Sequence, residues 1–125
     1  MGPTPRPFTN QRLGAYGEGV VASLLESQGA VILDRNWRIK EGEIDLVAQT
    51  NGGAITFVEV KTRSSLAFGH PLEAISRSKA QRLQRLALAW LVTHGHFGDP
   101  FQIDCVAVLV DPFGTPVIDY RSNIL

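Results

Sequence analysis

The order of helical and strand patterns along the chain predicts an α/β protein with a mixed sheet. A helical pattern over residues 10–28 precedes three strand patterns, a second helical pattern and two more strand patterns. The length of 125 residues fits one domain, and 44% hydrophobic residues are enough to bury a core. We therefore expect one domain over residues 9–125, preceded by a flexible, proline-rich tail at residues 1–8.

Two amphipathic helices are predicted from apolar residues that recur every three or four positions. The first covers residues 10–28 and ends at Gly29, which can adopt the left-handed conformation that stops a helix. The second runs from a cap at Ser76 to about residue 94, with residues 72–75 as a candidate separate turn. Each helix should bury its apolar face.

Five strands are predicted from alternating or continuous apolar patterns and the turn residues that separate them. They cover residues 31–38, 43–50, 54–62, 101–110 and 117–121. The second and third are joined by Asn51, Gly52 and Gly53, a strong hairpin signal because Asn and Gly tolerate positive φ.

The register of this hairpin is predicted by how it sorts side chains between the two faces of the sheet. A three-residue loop at residues 51–53 sets Asp45 opposite Glu59 and Glu43 opposite Lys61. A one-residue slip would scatter the charges and mix both faces. The predicted register instead gives one uniformly buried face, formed by Ile44, Leu46, Ala48, Thr56, Val58 and Val60.

Acidic residues at one end of the hairpin predict a cation site. Asp45 and Glu59, if both ionised, repel by roughly 0.2–1 kcal/mol, so the pair needs a proton or a cation. Hard carboxylate oxygens suit Mg²⁺ or Mn²⁺. Glu18 is a third candidate because it lies at the margin of the buried stripe of the first helix. Its glycine neighbours indicate that another backbone or a ligand approaches closely; they are Gly14, Gly17 and Gly19.

Each acidic residue taken alone is more often an ordinary structural residue than a ligand. The combination of Asp45, Glu59 and Lys61 at one end of a hairpin with an apolar remainder reverses that preference. Asp104, in an apolar strand, also needs a partner, and Arg35 or Arg38 is expected to supply it.

Basic residues are concentrated between positions 61 and 85, where Glu73 is the only acid. Most of them project from the polar face of the second predicted helix. A solvated helix surface is the commoner meaning of such a run, and contact with nucleic-acid phosphates is the functional one. Lys61 begins this run, and the residues expected to bind nucleic acid are Arg63, Arg77, Lys79, Arg82 and Arg85.

Composition excludes several classes of protein. Lys plus Arg total 12 and Asp plus Glu total 12, which excludes a histone-like protein that binds polyanions by bulk charge alone. The one cysteine, Cys105, excludes a disulfide framework and a Cys-rich zinc site, and it should be a small buried residue. The longest strongly apolar run, residues 86–92, is too short to cross a membrane. Residues 1–7 lack the apolar core of a secretory signal, so we expect a cytoplasmic protein.

His94 and His96 could be taken for a metal-binding pair. They lie at the predicted end of the second helix, on either side of Gly95. A histidine in that position commonly bonds the last carbonyls or interacts with the helix dipole. We favour that structural role.

Four segments, in order along the chain, resemble the YraN-like family of uncharacterised bacterial proteins. They are Gly14-x-x-Gly17-Glu18, Arg35-Asn36-Trp37-Arg38, residues 42–47 (GEIDLV) and residues 57–63 (FVEVKTR). The resemblance extends from about residue 10 to residue 110 and implies a branch of the PD-(D/E)XK nuclease superfamily, similar to archaeal Holliday-junction resolvases. It departs from the family at Gln102 and Ile103, where Arg-Phe usually precedes the aspartate.

The resemblance implies a restriction-endonuclease-like core, in which a mixed five-stranded sheet is flanked by helices. Asp45 and Glu59 would bind Mg²⁺ or Mn²⁺, Lys61 would be the catalytic lysine, and Glu18 would be the acid on the helix that helps to hold the metal. The implied activity is hydrolysis of phosphodiester bonds in DNA, branched DNA included, by a protein similar to dimeric resolvases. Fold does not establish activity. The alternatives are an inactive nucleic-acid-binding or scaffold module of nuclease ancestry, and a protein-interaction domain.

Overall fold

In a computed structural model, described for residues 9–64, 70–72 and 75–125, two helices pack against a five-stranded sheet. The predicted tail at residues 1–8 and part of the predicted turn at residues 72–75 lie outside the described residues. The elements in chain order are α1 (Asn10–Ser27), β1 (Val31–Ile39), β2 (Gly42–Gln49), β3 (Ile55–Arg63), α2 (Arg77–Thr93), β4 (Phe101–Val110) and β5 (Pro116–Arg121). The predicted elements are thus confirmed to within about one residue at each end.

The sheet is mixed, as predicted, and its spatial order follows the chain order from β1 to β5. Strands β1, β2 and β3 pair antiparallel, β4 pairs parallel with β3, and β5 pairs antiparallel with β4. Parallel neighbours require a crossover connection, and α2 lies within the connection from β3 to β4. The α/β class is therefore confirmed.

The two helices cover opposite faces of the sheet, so the core has two layers. Leu13, Val21 and Leu25 of α1 pack in one cluster with Leu46, Ala48, Val58 and Val106. The apolar residues of α2 pack in a second cluster with alternate residues of the same strands; they include Leu83, Leu86, Trp90 and Leu91. Alternation along β3 supplies both clusters because successive side chains point to opposite faces.

The alternation of β2 is broken at Asp45. Leu46 and Ala48 pack on the α1 side, but Ile44 packs on the α2 side, so the predicted uniform face is wrong at Ile44. The neighbouring strand departs from regular geometry at the same level, because Asn36 has φ 49°, a left-handed value that Asn tolerates better than most residues. The irregular backbone of β1 and β2 therefore lies at Asn36 and at Asp45, the second of which belongs to the predicted acidic site.

Asp104 is buried in β4, and its hydrogen-bond partners lie on β4, on β5 and in the residues that follow β5. Its carboxylate accepts hydrogen bonds from Gln102 Nε2 at 2.9 Å, from the backbone N–H of Asn123 at 2.8 Å and from the Tyr120 hydroxyl. The expectation that Arg35 or Arg38 pairs with Asp104 is wrong. Local and C-terminal donors, rather than an arginine, bond this carboxylate.

No helix in residues 9–64, 70–72 or 75–125 is both long and apolar enough to cross a membrane.

Candidate functional site

The hairpin register is confirmed for the part of β2 and β3 that pairs. Leu46 pairs with Val58 and Gln49 with Ile55, as the three-residue loop requires. Paired positions end at Leu46, and the Asp45 side chain bonds the neighbouring strand: its Oδ2 accepts a hydrogen bond from Val60 N at 2.8 Å. Asp45 therefore lies at the junction where β2 and β3 cease to pair.

The Glu59 side chain is largely enclosed, at 11% exposure. Lys61 Nζ lies 3.2 Å from Glu59 Oε1, and Lys79 Nζ lies 3.3 Å from the same oxygen. Lys61 was expected opposite Glu43, but its ion-pair partner is Glu59 on its own strand. Two ammonium groups on one carboxylate oxygen make this a compact, charge-compensated cluster.

Lys79 reaches the site because of the way α2 begins. Ser76 caps the helix, and its Oγ accepts a hydrogen bond from Lys79 N at 3.1 Å. This contact fixes the first turn of α2 beside β3. Lys79 was predicted only as a nucleic-acid contact, since its partner Glu59 lies across a crossover that sequence spacing does not define.

Glu18 and Glu43 form a second group of charges around Asn36. The Asn36 Nδ2 amide lies 3.1 Å from both oxygens of Glu18 and 3.1 Å from Glu43 Oε1. Arg38 pairs with Glu43 at 2.7 Å, and its hydrogen bond is the largest influence lowering the Glu43 pKa. Asn36 was not predicted as a site residue, although it stood within the motif of residues 35–38.

Asp45 is the carboxyl whose charge is least compensated. Burial and the neighbouring Glu59 raise its pKa from 3.8 to about 7, with smaller contributions from Glu18 and Glu43, while the Val60 N–H opposes the shift. In residues 9–64, 70–72 and 75–125 no ion pair involves Asp45. Three glutamates thus act on one aspartate that forms no ion pair within the described residues.

Lys61 keeps its proton in this environment. Burial lowers its pKa, but Glu59, with Lys79 and Asp45, outweighs burial, and the net pKa is raised. An ammonium with a raised pKa is a hydrogen-bond donor and a positive charge rather than a base. Its chemical use at neutral pH is therefore electrostatic.

The donor set suits a hard divalent cation in type, because Asp45 and Glu59 supply carboxylate oxygens and the charge at Asp45 is uncompensated. As the side chains stand, no three His, Cys, Asp or Glu in the described part of the chain are grouped closely enough to hold a metal ion. Asp45 and Glu59 lie within electrostatic reach of each other, and Glu18 is held by Asn36. The metal ligands Asp45, Glu59 and Glu18 stay a prediction.

A cleft of about 220 Å³ opens between α2 and the ends of β2 and β3. Glu59 and Lys61 lie in it, and Lys79 and Arg82 line its α2 side. The other residues predicted to bind nucleic acid are exposed near this cleft or on the same helix; they are Arg63, Arg77 and Arg85. The acidic cluster is thus bordered by basic side chains.

Gly17 marks a close contact between α1 and β3. A Cβ built at Gly17 would lie 1.8 Å from Thr62 Oγ1, so the predicted close approach is confirmed there. Gly14 and Gly19 have no atom within 4 Å of such a Cβ, so no other backbone approaches them, and the approach of a ligand there stays a prediction. The next residue, Glu18, accepts hydrogen bonds from Asn36 on β1.

The favoured structural roles of His94 and Cys105 are confirmed, whereas the His96 ring bonds Asp99 Oδ2 at 2.8 Å instead of a helix carbonyl. His94 stacks on Trp90 with ring centroids 4.2 Å apart, and its Nδ1 lies 2.8 Å from Trp90 O at the end of α2. Cys105 is buried, and burial raises the pKa of its thiol to about 11. A thiol of that pKa is a poor nucleophile.

Residues 17–108 match the family model of the uncharacterised protein family UPF0102. The chain belongs to this family. It is 50% identical over 112 residues to a UPF0102 protein of Beutenbergia cavernae, covering 90% of this chain and 94% of that protein. It is 46% identical over 114 residues to a UPF0102 protein of Nocardia farcinica, covering 91% and 89%.

A solved structure is a more distant match to this UPF0102 protein. SfsA of Pyrococcus furiosus, in complex with Ca²⁺, aligns with a TM-score of 0.40 and 18% identity. The alignment covers 90% of this chain and 63% of the SfsA chain, so this chain spans less than two thirds of that structure. The UPF0102 match confirms the coarser part of the resemblance, an uncharacterised bacterial family.

Proposed function

We propose that this UPF0102 protein is a metal-dependent endonuclease that hydrolyses phosphodiester bonds of DNA, branched DNA included. One observation carries the proposal. Partial burial, and then the charges of Glu59, Glu18 and Glu43, raise the pKa of Asp45, which forms no ion pair in the described part of the chain. Perturbed acids of this kind cluster at functional sites, and a divalent cation would relieve their repulsion.

The cation we propose is Mg²⁺, with Mn²⁺ as a substitute. Asp45 and Glu59 would hold it, with Glu18 as the third acid. When bound, such an ion polarises a phosphoryl oxygen and lowers the pKa of a coordinated water. Binding would draw Glu59 away from Lys61 or Lys79, since both ammonium groups now share the Oε1 atom.

Lys61 would act as a donor in the reaction. Its ammonium keeps its proton, so it would orient the attacking water and offset negative charge that develops at phosphorus. Placement on β3, two residues from Glu59, gives it the rigid support that this role needs.

Basic side chains beside the cleft would hold the phosphate backbone. Arg63, Arg77, Arg82 and Arg85 are exposed, and Lys79 lies between this surface and Glu59. Contacts of this kind fix position without reading sequence, and they weaken with salt. We therefore expect a preference for nucleic-acid shape rather than for sequence.

The finer family assignment belongs to the same proposal. The ordered motifs that carry Glu18, Asp45, Glu59 and Lys61 support a place in the PD-(D/E)XK superfamily, with a restriction-endonuclease-like fold similar to Holliday-junction resolvases. A homodimer and a cytoplasmic location are parts of that proposal.

The proposal is tested by incubating linear, flapped and four-way DNA with the protein and Mg²⁺ or Mn²⁺. We expect cleavage by the wild type and a loss of at least about a hundredfold for Asp45→Asn and Lys61→Ala, the scale of losing charge stabilisation at a reacting phosphate. Glu26→Gln removes a carboxylate near the C-terminal end of α1, outside the residues that line the cleft, and should leave cleavage intact. Unchanged cleavage by the folded Asp45→Asn protein would refute the proposal.

An inactive nucleic-acid-binding module is the second candidate. The observation that favours it is the double ion pair of Glu59, which compensates this carboxylate with Lys61 and Lys79. It predicts salt-sensitive DNA binding that survives Asp45→Asn, with no products in either metal. Gel-shift titrations run beside the cleavage assay separate the two candidates.

A further inference from the structure

A second cavity, of about 360 Å³, lies on the α1 side of the sheet, at the opposite end of β3 from Glu59 and Lys61. We name it the α1-end pocket. The C-terminal end of α1 forms one wall through Leu24, Leu25 and Gln28, and the first residues of β3 and β4 form the floor. Its volume falls within the range of about 300–1,000 Å³ that is usual for small-ligand sites.

Asp104 supplies the pocket with a buried negative charge, at 2% exposure. Gln102 and the Asn123 N–H donate to Oδ1, and the Tyr120 hydroxyl donates to Oδ2. A carboxylate offers about four acceptor positions, so one on Oδ2 is still open. No ion pair of Asp104 occurs within residues 9–64, 70–72 and 75–125.

Thr56 lines the same pocket with an unused hydroxyl. The residue is 2% exposed, and in the described part of the protein its Oγ1 has no hydrogen-bond partner. A buried hydroxyl without a partner costs about 1–3 kcal/mol relative to a bonded one. This atom is therefore a position where a ligand donor would gain a hydrogen bond.

Asp104 is the one charged residue among the described residues that line the pocket. The lining otherwise contains neutral polar or apolar residues, and no Lys, Arg or His is among them. The last turn of α1 also has no basic residue, so the negative end of that helix dipole is not compensated by its own side chains. Two independent sources of negative potential thus meet in one cavity.

We propose that the α1-end pocket binds a small organic cation, an ammonium or guanidinium group carried on a short apolar body. The charged group donates to Asp104 Oδ2 and Thr56 Oγ1, and the methylene groups pack on Leu24, Leu25 and the ring of Tyr120. Anions such as phosphates are repelled by the same charges. The proposal does not depend on the nuclease function, because the pocket and the cleft lie at opposite ends of β3.

The test is a titration of the full-length protein, without DNA or metal, with putrescine and agmatine as cationic probes and 1,4-butanediol as the uncharged analogue of putrescine. Calorimetry gives the dissociation constants, and backbone amide NMR shifts locate the site. We expect saturable binding of at least one cation, at least about tenfold weaker binding of the diol, and shifts at residues 56, 102, 104 and 120.

Two variants and a control complete the test. Thr56→Val keeps the side-chain shape, and Asp104→Asn keeps the acceptor geometry at one oxygen; each should weaken cation binding by about tenfold or more. Glu26→Gln removes an exposed carboxylate of α1 and should leave binding unchanged. If Asp104→Asn does not fold, Thr56→Val and the wild-type shifts decide. Shifts confined to the Asp45 and Glu59 region, equal binding of the diol, or absence of saturable binding would overturn the proposal.

Discussion

The folded protein disfavours the ionised form of Asp45. Its folded-state pKa of about 7 lies above the ordinary value of 3.8, chiefly because the carboxyl is buried beside Glu59. The folded chain therefore binds this proton more tightly than the unfolded chain does. The contribution of Asp45 to stability is present in full below the lower value and is lost as the pH rises through the higher one.

Replacing the charge should stabilise the protein at alkaline pH. We expect Asp45→Asn to raise the free energy of unfolding by about 1–3 kcal/mol at pH 8, because Asn still accepts from Val60 N–H but carries no charge. Near pH 4 the difference should shrink towards zero. Urea unfolding of both proteins at the two pH values measures this, and a difference that does not change with pH would contradict the assignment.

Asn36 combines a backbone role with a side-chain role. Its left-handed φ of 49° suits Asn or Gly, and its amide joins Glu18 to Glu43. We expect Asn36→Gly to cost about 1–2 kcal/mol through the lost hydrogen bonds. Asn36→Ala should cost about 1 kcal/mol more, because Ala is strained at this φ. Chemical denaturation of Asn36→Gly and Asn36→Ala separates the loss of hydrogen bonds from the backbone strain. Equal losses of stability in the two variants would show that Ala is not strained at this position.

At the scale of elements, the contact between α1 and β3 depends on a glycine. Thr62 Oγ1 occupies the space of a Cβ at Gly17, and in the described part of the chain this hydroxyl has no hydrogen-bond partner. The helix can therefore approach the end of β3 only where a side chain is missing. That approach holds Glu18 next to Asn36 and the acidic cluster.

Gly17→Ala should destabilise the protein by about 1–3 kcal/mol through overpacking. Gly19→Ala is the matched control, because its Cβ meets nothing within 4 Å; it should stabilise the helix by about 0.5–1 kcal/mol. Thermal unfolding measures both changes. Adding Thr62→Ala to Gly17→Ala should recover part of the lost stability. If it recovers none, the clash caused by the added methyl group is not with Thr62.

At the scale of the whole molecule, Asp104 connects the last part of the chain to the sheet. It accepts from Tyr120 on β5 and from Asn123 beyond it, and Ile124 N donates to Ile103 O at 2.9 Å. These bonds fix the C-terminal residues against β4. Burial, and then the hydrogen bond to Asp104, raise the pKa of the Tyr120 phenol above its ordinary value.

Tyr120→Phe should therefore cost about 1–3 kcal/mol, since a buried carboxylate loses a donor. Arg35→Met is the control, because Arg35 pairs only distantly with Glu26, at 3.9 Å, and both side chains are more than half exposed. Its effect should stay within about 0.5 kcal/mol. Urea unfolding measures the loss of stability in each variant. A larger loss for Arg35→Met than for Tyr120→Phe would instead favour the pairing of Asp104 with an arginine that the sequence predicted.

Features set by neighbouring residues were predictable from the sequence. The Ser76 cap, the loop at residues 51–53 and the apolar run of β4 each depend on short-range patterns, and the structure confirms them. The hairpin register followed because a slip of one residue would have exposed a buried face.

Features set by irregular backbone or distant partners were not predictable. Ile44 changes face because β1 and β2 depart from regular geometry together, which no single-strand pattern reveals. Lys79 meets Glu59 only after the crossover is folded, and Asp104 is bonded by Asn123, which lies outside every predicted element. Asp45 bonds a backbone N–H where strand pairing ends, so its exact partner depended on that local break.

The parallel pairing of β3 with β4 affects how the chain emerges during synthesis. Residues 64–100 are translated between the two strands, so β3 leaves the ribosome with one edge unpaired until β4 follows. That edge is rich in apolar β-forming residues, including Ile55, Phe57 and Val58, and it can pair with a strand of another nascent chain. Ribosome stalling or premature termination before residue 101 should therefore yield aggregates rather than a smaller soluble domain.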